Sequence, residues 1–88
     1  MEGPALSPEA EKVLTALYRA NEKSRGAFAT FDEQHKASLK TMGELRGAIR
    51  RLRARGFAET PLLSGDAGTV RARITDEGIT HWEIELKY

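Results

Sequence analysis

The first part of the chain carries its apolar residues at the spacing of an α-helix. Ser7 precedes this stretch, where its side chain can accept hydrogen bonds from free backbone amides, and Pro8 suits a first helical position. The stretch predicts a helix that ends near Lys23, behind a disordered lead over residues 1–7. The apolar stripe of this helix consists of Ala10, Val13, Leu14, Leu17 and Tyr18.

Two pairs of residues then have the spacing of a capping box, in which a threonine is followed three residues later by a glutamate. The pair Thr30 and Glu33 predicts a short second helix of about two turns. The pair Thr41 and Glu44 predicts the start of a third helix, residues 42–55. The apolar stripe of this third helix consists of Leu45, Ala48, Ile49 and Leu52.

Beyond Gly56, which ends the third helix, apolar and polar residues alternate as they do in β-strands. Residues 57–63 predict one strand, and residues 69–75 predict a second. A flexible loop over residues 64–68 separates the two strands. These segments therefore predict a β-hairpin.

The last residues of the chain show a further alternation. Its apolar positions are Trp82, Ile84, Leu86 and Tyr88. The alternation favours a third strand, although Trp82 and Leu86 would also lie, together with Ile79, on one side of a helix. On a strand, the four apolar residues would form a face that packs on the core or pairs with a second copy of the chain. A homodimer through this face is therefore predicted as a possible assembly.

These elements predict an α+β domain over residues 8–88, with three helices followed by a two- or three-stranded antiparallel sheet. Hydrophobic residues make up 40% of the chain and charged residues 31%, as in folded globular proteins. Cysteine is absent, which excludes disulfides and thiolate chemistry and favours a reducing compartment. Apolar runs of only two or three residues predict no membrane span, so we expect a cytoplasmic protein.

The net charge of +1 hides an uneven distribution along the chain. Residues 36–55 carry seven Lys and Arg against one acidic residue, whereas residues 1–35 have a net charge of −2 and residues 56–88 a net charge of −3. Such a basic segment can create a positive potential that attracts a polyanion. The alternative is a solvated basic helix face that the acidic flanks neutralise.

Two segments resemble parts of MarR-type and PadR-type transcriptional regulators. The segment 51–59 reads RLRARGFAE and is similar to the end of the recognition helix and the start of the wing in these families. The segment 74–78 reads ITDEG and is similar to the far end of the wing. The resemblance covers about residues 8–78, and it implies a winged helix-turn-helix fold that binds nucleic acid through the third helix (42–55) and the β-wing.

The chain departs from these families in two places. The turn at residues 37–41 lacks the glycine that is often found before the recognition helix. The sequence ends at Tyr88, whereas MarR-type proteins normally have long terminal helices that form their dimer and hold their ligand pocket. The resemblance thus implies a bare DNA-binding module and no ligand sensor.

Helical geometry defines the face of the third helix that would meet DNA, opposite its apolar stripe. Arg46 and Arg50 lie one turn apart on this face, with Arg51 beside them, and can contact guanine or phosphate. Gly43 and Gly47 also point outward, although each glycine in a helix costs about 0.5–1 kcal/mol relative to alanine. We interpret the glycines as allowing a close approach of the helix to DNA with modest sequence specificity. The alternative is a close contact with a second helix or a partner protein.

Other polar residues are predicted to flank the groove. Lys36, Lys40 and Thr41 are candidate phosphate contacts, the threonine through its hydroxyl or the helix N-terminus. Arg71 and Arg73 are the basic residues of the wing and suit a phosphate or minor-groove contact. They point to the same side of their strand because they are two residues apart.

The roles of Arg53 and Arg55 stay open on the sequence alone. Both are predicted nearer the core boundary than Arg46 and Arg50. They can cover apolar surface with their stems and interact with the helix C-terminus, or they can contact DNA.

The predicted function is binding of double-stranded DNA, as a small transcriptional regulator or a DNA-architecture factor, associated with the nucleoid if the source is bacterial or archaeal. The alternative is a winged helix that docks an acidic protein partner through the same basic face. RNA binding stays open, although the chain shows no aromatic stacking surface of the RRM kind.

Nothing in the sequence indicates an enzyme, a metal or another cofactor. His35 and His81 are far apart and lack the spacing of metal ligands. The serines lack the context of a nucleophile elbow, and the glycines form no phosphate-binding loop.

Overall fold

The computed structural model describes residues 6–61 and 69–86 of the chain. Within these ranges the fold is α+β, with three helices and a three-stranded antiparallel sheet in which β3 lies between β1 and β2. In chain order the elements are α1 (Pro8–Lys23), β1 (Ala29–Phe31), α2 (Met42–Ala54), β2 (Ala58–Glu59), β3 (Val70–Ile74), α3 (Asp76–His81) and a π-helical segment (Trp82–Leu86) that continues α3.

The helix α1 forms as the sequence predicts. Ser7 caps it, since the Ala10 amide donates a hydrogen bond to the Ser7 Oγ at 3.2 Å. All five residues of the predicted apolar stripe are buried. Leu6, which lies within the predicted disordered lead, is also buried, whereas residues 1–5 lie outside the described residues.

The helix α2 is the predicted third helix, and it begins and ends where its motifs indicate. The Glu44 amide donates to the Oγ1 of the capping Thr41 at 3.1 Å. At the other end Gly56 adopts a φ of +78°, which lets the Phe57 amide donate to the Leu52 carbonyl at 2.9 Å. The buried residues of α2 are Met42 and the predicted stripe of Leu45, Ala48, Ile49 and Leu52.

The short second helix predicted from Thr30 and Glu33 is wrong, because residues 29–31 form the strand β1. This strand pairs with β3, and Phe31 lies opposite Val70. The pairing buries Phe31, which is only 5% exposed, and satisfies backbone groups at the edge of the sheet. A helix cap contributes only about 1 kcal/mol, so tertiary packing overrides it here.

Two turns, and no helix, connect β1 to α2. The Asp32 carboxylate accepts hydrogen bonds from the amides of Gln34 and His35, both at 2.9 Å. These bonds, the one from Gln34 foremost, lower the pKa of Asp32. Ala37 and Ser38 then adopt left-handed backbone conformations, with φ of 53° and 68°. The turn before α2 is therefore made by an alanine and a serine, and it forms without the glycine whose absence the sequence showed.

The two strands predicted after Gly56 form, but the first is shorter than predicted. β2 covers only Ala58–Glu59 of the predicted strand 57–63, and it pairs with β3 so that Ala58 lies opposite Ile74. β3 covers Val70–Ile74, in agreement with the sequence. The predicted loop over residues 64–68 lies outside the described residues.

The third strand predicted for the last residues is wrong, because α3 and its π-helical continuation occupy residues 76–86. The helix places Trp82 and Leu86 against the core, together with Ile79, which agrees with the helical alternative given by the sequence. The Trp82 ring stacks on Tyr18 with centroids 3.9 Å apart, and its Nε1 donates to the Thr15 Oγ1 at 3.0 Å. A helix satisfies its own backbone groups, so it can pack these side chains on α1 without a sheet edge.

The apolar face on which the homodimer prediction rested does not form among the described residues. Trp82 and Leu86 pack against the core of their own chain, whereas Ile84 is 62% exposed. Tyr88 lies outside the described residues. The structure therefore gives no support to a dimer through these four residues.

The two segments that carry the family resemblance meet in the structure. The Thr75 amide donates to the Phe57 carbonyl at 3.0 Å, and the Thr75 hydroxyl donates to the Gly56 carbonyl at 2.6 Å. The Thr75 Oγ1 also caps α3 by accepting from the Gly78 amide at 3.0 Å. A Cβ on Gly78 would lie only 2.7 Å from Ile74 Cγ1 and closer still to the Phe57 carbonyl oxygen. These contacts fix the end of α2 against the start of α3.

The core lies between α1, α2 and the inner face of the sheet. Its largest fully buried side chains are Val13, Leu14, Leu17, Leu45 and Leu52. No polar or charged residue is buried within residues 6–61 and 69–86. The core therefore stabilises the fold, and any binding chemistry of the described chain lies at its surface.

Candidate nucleic-acid interface

The helix α2 has one buried side and one exposed side, and arginines dominate the exposed side. Its exposed residues are Gly43, Glu44, Arg46, Arg50, Arg51, Arg53 and Ala54. The buried stripe holds the helix on the core, so the orientation of the arginines is fixed by packing. The arginines of the basic segment that lie on α2 are thus exposed.

Three of these arginines form a row along the helix. Arg46, Arg50 and Arg53 are spaced i, i+4 and i+7, which places them on one side over about 10 Å of the helix axis. Arg51 lies to the side of this row. The side chains of Arg50 and Arg53 make no hydrogen bond or ion pair with another residue that the structure describes. Their guanidinium donors can therefore bind phosphate or guanine without breaking a contact inside the described fold.

The two glycines of α2 face open space. A Cβ on Gly47 would meet no atom within 4 Å, and a Cβ on Gly43 would meet only the Thr41 Oγ1 at 3.7 Å. A close contact with another helix of the described chain therefore does not explain these glycines. An external partner, whether DNA or protein, still can.

The N-terminus of α2 already holds a carboxylate. The Glu44 Oε1 accepts a hydrogen bond from the Lys40 amide at 3.0 Å, and the Thr41 Oγ1 accepts from the Glu44 amide. A phosphate at this end of α2 would meet the negative charge of Glu44. The Thr41 hydroxyl, predicted to contact phosphate, therefore already caps α2. The Lys40 side chain is exposed.

Lys36 is held within its own turn. Its Nζ donates to the Glu33 carbonyl at 2.6 Å and lies 3.2 Å from the Glu33 Oε1. Its side chain is only 19% exposed. Of the predicted phosphate contacts before α2, Lys36 is therefore the least accessible.

The two arginines of β3 differ in their surroundings. Arg71 is exposed on β3, opposite Thr30 of β1. The Arg73 Nε donates to the Glu59 Oε1 at 2.8 Å, and its Cζ lies 5.0 Å from the centroid of the Phe28 ring. Arg73 is thus fixed in place by an acid and an aromatic ring, whereas Arg71 is accessible.

Arg53 and Arg55, which the sequence left open, have separate environments. The Arg55 guanidinium lies 5.2 Å from the centroid of the Phe57 ring, beside the end of α2. Arg53 is exposed and belongs to the row with Arg46 and Arg50.

The sequence did not predict a pocket of about 540 Å³ that lies beside β2 and β3. Its lining residues are Phe28, Arg53, Ala58, Glu59, Thr60, Pro61 and Arg73. Phe28 is 38% exposed, although large aromatic residues usually pack inside a small domain. Its place outside every predicted apolar stripe was the available signal, but the sequence could not show that Arg53 lies beside it.

The two histidines serve as local structural contacts. The His35 Nδ1 lies 3.3 Å from the Asp32 Oδ1 in the turn after β1, and the His81 ring stacks on Phe57 with centroids 4.5 Å apart. In the part of the chain that the structure describes, no three His, Cys, Asp or Glu side chains are grouped so that they could hold a metal ion.

None of the helices in the described ranges has the length and apolar character needed to cross a membrane. Comparisons of the chain with known protein families, with curated proteins and with solved structures found no match in any of the three. The assignment of a function therefore depends on the residues and the geometry given above.

Proposed function

We propose that this protein binds double-stranded DNA, with the exposed side of α2 in the major groove and the wing beside it. The observation that carries the proposal is the row of Arg46, Arg50 and Arg53 on the exposed side of a helix whose other side is anchored in the core. The groove of B-DNA, about 12 Å wide, admits one α-helix. A small transcriptional regulator or DNA-architecture factor is the corresponding role.

The arrangement of the elements is compatible with a winged helix. The helix α2 is followed by the strands β2 and β3, and β3 also pairs with β1, which precedes α2. The contacts of Thr75 with Gly56 and Phe57 hold the base of the hairpin against the end of α2. A surface that combines α2 and the wing is therefore held as one unit. The turns over residues 32–40 replace the expected second helix.

The side chains of α2 indicate how sequence would be read. The helix contains no Asn, Gln, Ser or Thr, so arginine is its main group for contacting base edges. Arginine binds guanine in the major groove and also binds phosphate at any sequence. With two glycines on the same face, we expect modest sequence specificity, and any base preference should be for guanine.

The experiment is a fluorescence-anisotropy titration of a labelled random-sequence duplex at two salt concentrations. The variant Arg46→Ala/Arg50→Ala is compared with Lys12→Ala/Arg19→Ala, which removes two exposed basic residues from α1. We expect the α2 variant to lose affinity at least about tenfold, because each arginine contact with DNA is worth about 1–3 kcal/mol. The α1 variant should bind like the parent.

A competition arm separates DNA from an acidic protein partner. Polyglutamate is added to the protein–duplex complex at the same concentration of negative charge as unlabelled duplex. Much weaker competition by polyglutamate supports DNA as the ligand. Equal competition, or equal losses in the two arginine variants, contradicts the proposal and favours the docking of an acidic protein.

A further inference from the structure

The pocket at the base of the wing combines an exposed aromatic ring with two guanidinium groups. Phe28 forms one part of the lining, and Arg73 lies against its ring, fixed there by Glu59. The Arg73 Nη1 also reaches the Gly26 carbonyl at 3.5 Å. Arg53 enters the lining from α2, and its guanidinium group makes no hydrogen bond or ion pair with a residue that the structure describes. The volume of about 540 Å³ is in the range of small-molecule sites.

These groups match the chemistry of one nucleotide. Aromatic rings and arginine planes are the surfaces on which unpaired bases stack, and arginine binds phosphate. The charges of Arg53, Arg73 and Glu59 give the pocket a net charge of +1. That charge suits a phosphodiester, with one negative charge per nucleotide, better than a free triphosphate with its several negative charges.

The pocket is continuous with the surface that we assign to duplex DNA. Arg53 is the last member of the row on α2, and it also lines the pocket. Arg50 and Arg53 are three residues apart, or about 4.5 Å along the helix axis. A strand that leaves a duplex held by Arg46 and Arg50 would therefore reach Phe28 within a few nucleotides.

We propose that this pocket binds an unpaired nucleotide of a DNA strand next to the duplex, with its base stacked on Phe28 or Arg73 and its phosphate on Arg53. The position next to a duplex rests on the proposed function of α2. The stacking site itself does not, because it can be tested on a single strand. The protein would then prefer duplex DNA with an unpaired end over blunt duplex DNA.

The test compares a blunt duplex, the same duplex with a 3′ or a 5′ thymidine tail, and oligothymidine alone, by fluorescence anisotropy. We expect the parent to bind one of the tailed duplexes about fivefold to tenfold more tightly than the blunt one, as one stacked base would give. The variant Phe28→Ala should lose this preference and keep its affinity for the blunt duplex. Phe28→Tyr should retain the preference, because it keeps the ring.

Ile84→Ala is the matched control, because Ile84 is the other exposed large hydrophobic residue of the described chain. It should bind all the probes like the parent. Thermal melts check that Phe28→Ala is folded. Phe28→Trp gives a second readout, since a base that stacks on the new ring should quench its fluorescence, whereas Ile84→Trp should show no quenching.

The outcomes separate this inference from the proposed function. Equal affinity for tailed and blunt duplexes, or a tail preference that survives Phe28→Ala, overturns the nucleotide pocket and leaves duplex binding by α2 intact. Binding of oligothymidine that depends on Phe28, without any binding of the blunt duplex, supports the pocket and overturns duplex binding. Binding of none of the probes overturns both.

Discussion

The helix α2 and the C-terminal helix, formed by α3 and its π-helical continuation, differ in what their polar side chains contact. In the C-terminal helix, the side chains of Trp82 and Glu83 form hydrogen bonds with α1. Glu83 accepts a hydrogen bond from the Tyr18 hydroxyl at 2.8 Å, and Trp82 donates to Thr15. On α2, Arg50 and Arg53 extend into solvent without a partner in the described structure.

The difference separates residues that maintain the fold from residues that are available for a ligand. A polar group that bonds within the chain stabilises the folded state, and its loss should lower the free energy of unfolding. The like-charged side chains of Arg50 and Arg53 make no hydrogen bond or ion pair inside the described structure, so they contribute little to the free energy of unfolding. We therefore expect substitutions of Trp82 and Glu83 to change stability alone, and substitutions of Arg50 and Arg53 to change binding alone.

The largest effect on stability is expected for Trp82→Ala. It removes the ring that stacks on Tyr18 and the hydrogen bond to Thr15. Because Trp82 is only partly buried, we expect a loss of about 2–3 kcal/mol, below the range for a fully buried tryptophan. Urea unfolding measures the loss, and duplex affinity of the folded variant should be unchanged. A variant as stable as the parent would contradict the role of the C-terminal helix.

The next effect comes from Gly78→Ala, with Gly47→Ala as its control. A Cβ on Gly78 would overlap Ile74 and the Phe57 carbonyl, so we expect a loss of about 2 kcal/mol. A Cβ on Gly47 meets nothing within 4 Å, so alanine there should add about 0.5–1 kcal/mol. The two variants are compared by their midpoints of urea unfolding. Shifts of the same sign would contradict the packing of Gly78.

On α2, the other helix of the comparison, a smaller effect on stability is expected for Gly43→Ala/Gly47→Ala. The double variant should be more stable than the parent by about 1–2 kcal/mol. It should bind duplex DNA several-fold more weakly if the helix backbone lies close to the groove. Thermal melts and anisotropy titrations measure the two changes. Higher stability with unchanged affinity would show that the glycines have no part in DNA binding.

The smallest effect is a dependence of stability on alkaline pH. The hydrogen bond to Glu83, followed by burial, raises the pKa of Tyr18 to about 12. The ordinary tyrosine pKa is about 10, so the folded state holds this proton more tightly than the unfolded state. Stability from this contact is complete below pH 10 and is lost as the pH rises towards 12. Urea unfolding should show a steeper decline in this window for the parent than for Tyr18→Phe. Equal declines in the parent and in Tyr18→Phe would contradict a stabilising contact between Tyr18 and Glu83.

The sequence predicted α1 and α2 well, because both carry a cap and an apolar stripe of helical spacing. Ser7 and Thr41 cap the two helices, and every residue of both predicted stripes is buried. Such local signals do not depend on the rest of the fold. The same holds for β3, whose alternation matches its burial.

The errors lie where a distant contact decides the structure. Phe31 is buried because β1 pairs with β3, which is about 40 residues away in the chain. Trp82 is helical because its ring packs on Tyr18 of α1. Neither partner can be identified from the local pattern, so a capping box and an alternation of apolar residues gave the wrong secondary structure.

For the candidate site too, the features that depend on local sequence were predictable and those that depend on distant contacts were not. The outward position of Arg46 and Arg50 follows from the period of one helix, and the structure exposes both. Turns and strand pairing bring Lys36 to Glu33 and Arg73 to Glu59. They also form the pocket beside Phe28. The sequence alone therefore identified the basic helix but not which flanking residues are accessible.

The central claim is that the arginines of α2 contact DNA phosphates and bases, and the salt dependence of duplex binding tests it most directly. Each phosphate contact contributes about 0.9 to the slope of log affinity against log salt concentration. We predict a steep slope for the parent that falls by about 1–2 in Arg46→Ala/Arg50→Ala, while Lys12→Ala/Arg19→Ala keeps the parent slope. A slope that is the same in the parent and the α2 variant would contradict the account.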